Sequence, residues 1–280
     1  MHPHNDIIYK MNELKFSVLM SVYHKDNPAW FREAVQSVFS QSCIPAETVL
    51  TADGPLTEEL EAVIDEFKDK LKIVCLEKNM GLGAALNAGL KECSYPLVAR
   101  MDSDDISLPD RFEKQIKAFE TDKDLSVLGG AIREIDSESK EEVSFRRLPQ
   151  SDTELKNFLK TRCPFNHMSV MFRREAVLEC GGYIPLHLME DYYLWARMAA
   201  KGCRFANLAD ILVNARTDKN LYSRRGGWKY FKSNKAIADK MLSLGLISLP
   251  VYLFNLAVRF CVQVIMPNSV RSIFYKKVLR

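Results

Sequence analysis

Three carboxylates fall within four positions, Asp102, Asp104 and Asp105, in the stretch VARMDSDDIS (98–107) that closes an apolar run. Oxygen donors at this density suit a hard divalent cation, Mg2+ or Mn2+, which shares its remaining positions with the phosphates of a substrate. Such a cation neutralises charge on a departing diphosphate, otherwise a poor leaving group. Taken alone, the triplet reads first as a solvated turn before a helix, with Asp105 stabilising the helix N-terminus. A second acidic pair, Glu190 and Asp191 in MEDYYLW, opens a helical pattern. A carboxylate there suits a general base, and the plain alternative is again a helix dipole satisfied by acids.

The surrounding pattern has to position these groups. KFSVLMSVY (15–23), AETVLTADG (46–54), LKIVCLEKN (71–79) and YPLVARMD (95–102) read as short buried strands. Helical periodicity lies between them, over 27–42, 56–70 and 81–93, and again over 108–120. Alternation at this spacing predicts βαβ units: one Rossmann-like, mostly parallel sheet with flanking helices, in an α/β fold. In such sheets ligands bind beyond the carboxyl ends of the strands. Asp53, Asn79 and the acids at 102–105 all fall at strand ends, so three polar clusters converge on one edge. Further on, 125–136 and 140–149 read as a strand pair, 152–162 as helix, 166–183 as strand then helix, 189–202 as helix and 204–216 as strand.

In order, FSVLMSVY, ADGP, NMGLGAALNAGL, ARMDSDD and MEDYYLWARM resemble the motif set of the family 2 glycosyltransferases, inverting enzymes of GT-A fold, over about residues 16–225. The resemblance is nearest to bacterial members that build O-antigen and exopolysaccharide repeat units. It implies a UDP-sugar donor and transfer of a hexose, galactose or glucose, to a polyprenyl-diphosphate-linked saccharide. It also implies that Ser21, Tyr23 and Asp53 hold base and ribose; Ala52 stands where the family's first of two acids would be. Asn79, Gly81, Asn87 and Gly89 match the family's N-x-G-x-x-x-A-x-N-x-G helix. Arg100 would pair a carboxylate or a phosphate. Asp102 falls to the ribose and metal shell, Ser103 beside it to the nucleotide sugar, and Asp104 to the metal directly. Asp191 is implied as the base, with Glu190 orienting the acceptor. His167 would touch the diphosphate or acceptor, and Arg216, Arg224 and Arg225 resemble a basic loop closing over the diphosphate.

The bulk of the chain fits this frame and excludes little else. Of 280 residues, 47% are hydrophobic, and the net charge of +3 is too small to argue for a nucleic-acid partner. Seven scattered cysteines without a C-x-x-C pair point to a reducing compartment. The first residues lack the apolar core of a signal peptide, which predicts a cytosolic origin. The apolar run 242–258, broken by Pro250 and followed by Arg259 and a basic tail (Arg271, Lys276, Lys277, Arg280), reads as an in-plane, membrane-associating helix on the inner face of the cytoplasmic membrane. A core helix and a span are the alternatives. The expected organisation is a nucleotide-sugar half (1–130), an acceptor and catalytic half (131–225) and a C-terminal helical region (226–280). Two competing functions have different signatures. A sugar-1-phosphate nucleotidyltransferase needs a glycine-rich loop after the first strand, where HKDNPAW has no glycine. A non-catalytic membrane-surface protein would tolerate Asp104→Asn and Asp191→Asn.

Overall fold

The first strand, β1 (Phe16–Val22), is buried at all but one of its positions, as expected of a central strand covered on both faces. A computed structural model describes residues 14–217, 226–267 and 270–271. In it β1 lies between β2 (Glu47–Ala52) and β4 (Leu97–Arg100), with β3 (Lys72–Cys75) beyond β2, all parallel. The crossovers are α1 (Pro28–Phe39), α2 (Glu58–Phe67) and α3 (Leu82–Glu92). Asn27 starts α1 by accepting the amides of Ala29 and Trp30, while Pro28 fills the first turn, where its missing N–H costs nothing. The two-residue period of β1 separates two cores. Val18 and Met20 pack with Phe31, Val35 and Phe112 on one side. Leu19 joins Leu86, Leu90 and Trp195 on the other.

Beyond β4 the sheet stops being parallel. β6 (Leu125–Asp136) and β7 (Glu142–Arg146) are joined by a tight turn and so must run antiparallel. β8 (Met171–Arg173) is antiparallel to both β4 and β6, and β9 (Arg204–Thr217) is parallel to β6. β5 (Ile106–Ser107), only two residues long, pairs with β9. The result is one nine-stranded mixed sheet, ordered β3-β2-β1-β4-β8-β6-β9-β5, with β7 beside β6. The expectation of a mostly parallel sheet therefore holds for β1 to β4, and the return strands make the whole mixed. Residues on both sides of position 130 share this sheet, and β6 crosses that boundary.

The remaining helices are α4 (Arg111–Thr121), α5 (Asp152–Leu159), α6 (Arg174–Glu179) and α7 (Glu190–Ala200). α8 (Gly227–Ser243) packs Tyr230, Ile237 and Met241 into the core that holds Trp195. α9 (Leu249–Phe260) runs into a π-helical turn at Cys261–Ile265. Its length is about 18 Å at the α-helical rise, against roughly 30 Å of bilayer hydrocarbon. No helix among the described residues is long and apolar enough to cross a membrane.

Candidate active site

A cleft of about 480 Å³ opens where β1, β2 and β4 end. Ser21, Tyr23 and Asp26 line it from the end of β1 and the loop that follows, Asp53 from β2, and Asn79 to Gly83 from the start of α3. Asp102, Ser103 and Asp104 descend from β4, and Pro185 to Leu188 with Glu190 form the facing wall. The convergence expected from strand order is thus present.

The acid loop is crowded. Carboxylate oxygens of Asp102, Asp104 and Asp105 lie within 4.8 Å of one another. Burial first, then the charges of Asp102 and Asp26, push the Asp104 carboxyl up to about 7. Burial and both neighbours raise Asp105 well above the ordinary range. Like charges this close favour holding a proton or a cation. The donor set is all oxygen and fits a hard divalent ion rather than a soft one. Asp105 is tied down, accepting the Arg216 amide at 2.8 Å. Asp102 and Asp104 face the cleft.

Arg100 closes the loop from beneath. It is 2% exposed and ion-paired with Asp102. Among the described residues its Nε and Nη1 have no hydrogen-bond partner, so Asp102 alone pairs with the charge held under the acids. Arg216 braces the loop from behind rather than reaching into the cleft. Its guanidinium donates to the Asp104 carbonyl, pairs with Glu33 and lies 5.6 Å from the Trp30 ring. Arg224 and Arg225 lie outside the described residues.

The α3 entry is built by Asp53. Its two carboxylate oxygens accept the amides of Met80, at 2.7 Å, and Gly81, at 2.9 Å, while Asn79 donates to its carbonyl. Gly54 permits this approach: its φ is +88°, and a Cβ there would stand 2.5 Å from the Asn79 nitrogen. Asn87 serves elsewhere. Its carboxamide bonds the carbonyl and amide of Tyr183, clamping the chain after Gly182 onto α3. Asn87 is not among the residues lining the cleft.

On the facing wall the first turn of α7 presents Glu190 and Asp191. Burial raises both carboxyls above their ordinary values. Glu190 lines the cleft directly. Asp191 is half-buried behind it and accepts from the Cys163 thiol at 3.4 Å. A Cβ on Gly83 would reach within 3.5 Å of Glu190 Cβ, so α3 and α7 meet at their N-termini. Asp104 and Glu190 therefore share one cleft, and Asp191 is not among the residues lining it. His167 lies beneath: its Nε2 is 3.0 Å from the Tyr183 hydroxyl, and burial together with Arg100 keeps the ring neutral.

Four features escape the sequence reading: Asp26, Cys163, Tyr183 and the wall 185–188. Asp26 accepts from Ser103 Oγ at 2.8 Å and from the Tyr23 amide, and burial raises its carboxyl. Its only signal is an acid in the loop after the first strand, at the edge where ligands bind. The other three carry no local signal, because distant chain brings them together.

The sequence profile described as Glycosyl transferase family 2 matches residues 17–182. The chain is 42% identical over 231 residues to the amylovoran biosynthesis glycosyltransferase AmsE of Erwinia amylovora, covering 82% of this chain and 86% of that protein. It is 38% identical over 268 residues to the UDP-Gal:alpha-D-GlcNAc-diphosphoundecaprenol beta-1,3-galactosyltransferase of Escherichia coli, covering 95% of this chain and 97% of that one. Among solved structures, S. aureus TarS 1-349 in complex with UDP-GlcNAc superposes with a TM-score of 0.67 at 20% identity, covering 95% of this chain and 76% of that chain. That last likeness is one of fold.

Proposed function

We propose, from the premise that this chain belongs to glycosyl transferase family 2, that it is an inverting hexosyltransferase, moving galactose or glucose from a UDP-sugar to a sugar on a polyprenyl diphosphate. This places it in O-antigen or exopolysaccharide assembly at the inner face of the cytoplasmic membrane. The observation that carries the reading is the single cleft in which the β4 acids face the first turn of α7. The Escherichia coli relative supports the donor and acceptor class, since the two chains align over nearly their full lengths.

Asp102 and Asp104 would hold Mg2+ or Mn2+, which when bound supplies positive charge for the leaving diphosphate. The remaining work falls to the chain itself. The end of β1 and the α3 entry shaped by Asp53 receive the nucleoside, with Ser21 and Tyr23 on one side and Asn79 and Gly81 on the other. Arg100 holds Asp102 in register and adds a buried cation beneath the phosphate site. Asp191 takes the proton of the acceptor hydroxyl as that oxygen attacks the anomeric carbon from the face opposite the diphosphate. Glu190 orients the acceptor. Because Glu190 rather than Asp191 lines the cleft, the opposite assignment is the second reading. Residues 1–130 supply the donor side, 131–225 the acceptor side and 226–280 the membrane-facing region.

The test incubates the protein with a panel of UDP-hexoses, Mn2+ and a synthetic acceptor bearing a lipid diphosphate. Mass spectrometry should show one added hexose and release of UDP; release of inorganic diphosphate would instead indicate nucleotidyl transfer. NMR should show a β-linkage from an α-linked donor, and an α-linked product would overturn the assignment of inversion. Asp191→Asn should abolish transfer and Glu190→Gln should mainly raise the acceptor KM. The reverse pattern would favour the second reading.

A further inference from the structure

α9 is built inside out. From Leu244 to Pro267 the chain has one charged residue, Arg259, and that side chain turns inward. It donates to the Thr161 carbonyl at 2.6 Å and to Asn234 Oδ1 on α8. Asn255, on the same inward face, donates to the Lys160 carbonyl at 2.9 Å. Gln263, in the π-helical turn, is buried beside Asn234. The outward face consists of Leu249, Leu253, Phe254, Val258 and Ile265, each between 43% and 67% exposed. A surface helix normally buries its apolar stripe and shows water its charges. Here polar groups dock the helix and the apolar stripe is left uncovered.

The edge of this stripe is equally specific. Trp228, 58% exposed at the start of α8, packs edge-to-face with Phe231 and Phe260, at ring separations of 5.8 and 5.7 Å. An indole at such a margin suits the boundary between headgroups and acyl chains. Lys229 and Lys232 are exposed on the same stretch of α8. Their charge is complementary to anionic headgroups. α8 is also tied to the body of the site, since its buried Tyr230, Ile237 and Met241 share a core with Leu194 and Trp195 of α7.

We infer that the outward face of α9, centred on Leu253, Phe254 and Val258 with Trp228 at its margin, seats in the headgroup boundary of an anionic bilayer, with the helix axis in the membrane plane. The packing of α8 into the core that holds Leu194 and Trp195 of α7 then fixes the cleft rim, where α7 begins at Glu190, relative to that bilayer. The polar docking bonds make this a rigid attachment, so the membrane sets the orientation of the catalytic sheet as well as its location. Why such a face is useful rests on the lipid-linked acceptor proposed above; the lipid binding itself does not.

Flotation of the full chain with vesicles tests this without any sugar substrate. Vesicles of phosphatidylcholine mixed with phosphatidylglycerol should carry the protein upward and blue-shift the Trp228 emission. The Leu253→Glu/Phe254→Glu double variant should bind about a hundredfold more weakly, since two large apolar side chains no longer leave water. Both side chains are exposed, so its melting temperature should match the parent's, as should its turnover on a short, soluble acceptor. Phe254→Ala should lie between the two. The double variant keeps every basic residue, so undiminished vesicle binding would mean that charge alone recruits the chain, and the inference would be overturned. Absence of flotation by the parent would overturn it too, as would a parent dimer that the double variant dissolves into monomers with no vesicle binding by either. Flotation without sugar transfer would sink the enzymatic reading and leave this one standing.

Discussion

Asp104 is under opposing demands. Burial, then the charges of Asp102 and Asp26, raises its carboxyl to about 7, so the metal-free fold keeps a proton there that the unfolded chain releases near pH 4. The sign follows from linkage. The folded state binds more protons between those two values, so stability from this group falls as pH rises through the window. A divalent cation replaces the proton and removes the penalty. Thermal melts in Mn2+ or Mg2+ should therefore show a larger stabilisation at pH 8 than at pH 5, and Asp104→Asn should flatten that difference. Equal metal shifts at both pH values would mean that Asp104 does not hold the ion. Asp191 has the opposite relation to pH, because a base works only when ionised. Burial places the acid limb of its pH–rate profile above the ordinary carboxylate range, and transfer is lost as pH drops through it. The Cys163 thiol lowers that value by donating to the carboxylate. Cys163→Ala should move the limb to higher pH, whereas Cys163→Ser, which keeps a donor, should hold it near the parent position. An unmoved limb in the alanine variant would assign the titration to another group, with Glu190 the first candidate.

The elements differ in how far their sequences declare them. β1 to β4 and their helices can be read because each strand is an apolar run bounded by a turn and each helix buries one stripe. The cleft edge follows from that alternation. β5 has two residues and β8 three, too short for any period to register, and their pairing is decided by β9, β4 and β6. α8 falls in the helical region expected over 226–280, but Lys229, Lys232, Lys235 and Lys240 surround a narrow buried stripe, so the face that packs is not marked in its sequence. Site residues divide the same way. Asp102, Asp104 and Glu190 sit at element ends and line the cleft. Asn87 spends its carboxamide on the Tyr183 backbone, and Arg216 spends its guanidinium on the Asp104 carbonyl and the Glu33 carboxylate, all supplied by distant chain. Gly54 joins local sequence to site: only a residue tolerant of φ +88° lets the turn after β2 touch the 78–79 backbone. Gly54→Ala should cost on the order of 2 kcal/mol in urea unfolding, the price of a strained left-handed residue plus a backbone clash. It should also raise the KM for the UDP-sugar through the displaced Asp53 cradle. Unchanged unfolding and KM would show that this turn has room to relax.

At the scale of the whole molecule, the attachment of α9 decides whether the C-terminal helices are an appendage or part of the catalytic body. Arg259 joins three elements at once: α9, α8 through Asn234, and the end of α5 through the Thr161 carbonyl. It also interacts with Tyr192, whose hydroxyl donates to the Leu159 carbonyl one residue along α7 from Asp191. The exposed apolar stripe of α9 points away from the protein, so the helix is held by these polar bonds together with Tyr252, packed on the core, and Phe260, packed on Phe231 of α8. Hydrogen bonds to a charged donor contribute roughly 1.5–3 kcal/mol each. Arg259→Ala should therefore speed amide exchange across α9 by about tenfold or more, with β1 to β4 unchanged, because the opening is local. Vesicle binding should survive, since the apolar face is intact, while transfer to an acceptor embedded in vesicles should fall more than transfer to a soluble one. A protein that orients its cleft through α9 must show that split. Equal losses on both acceptors would place Arg259 in the support of Asp191 alone, and no change in exchange would mean that α9 is held by contacts other than these.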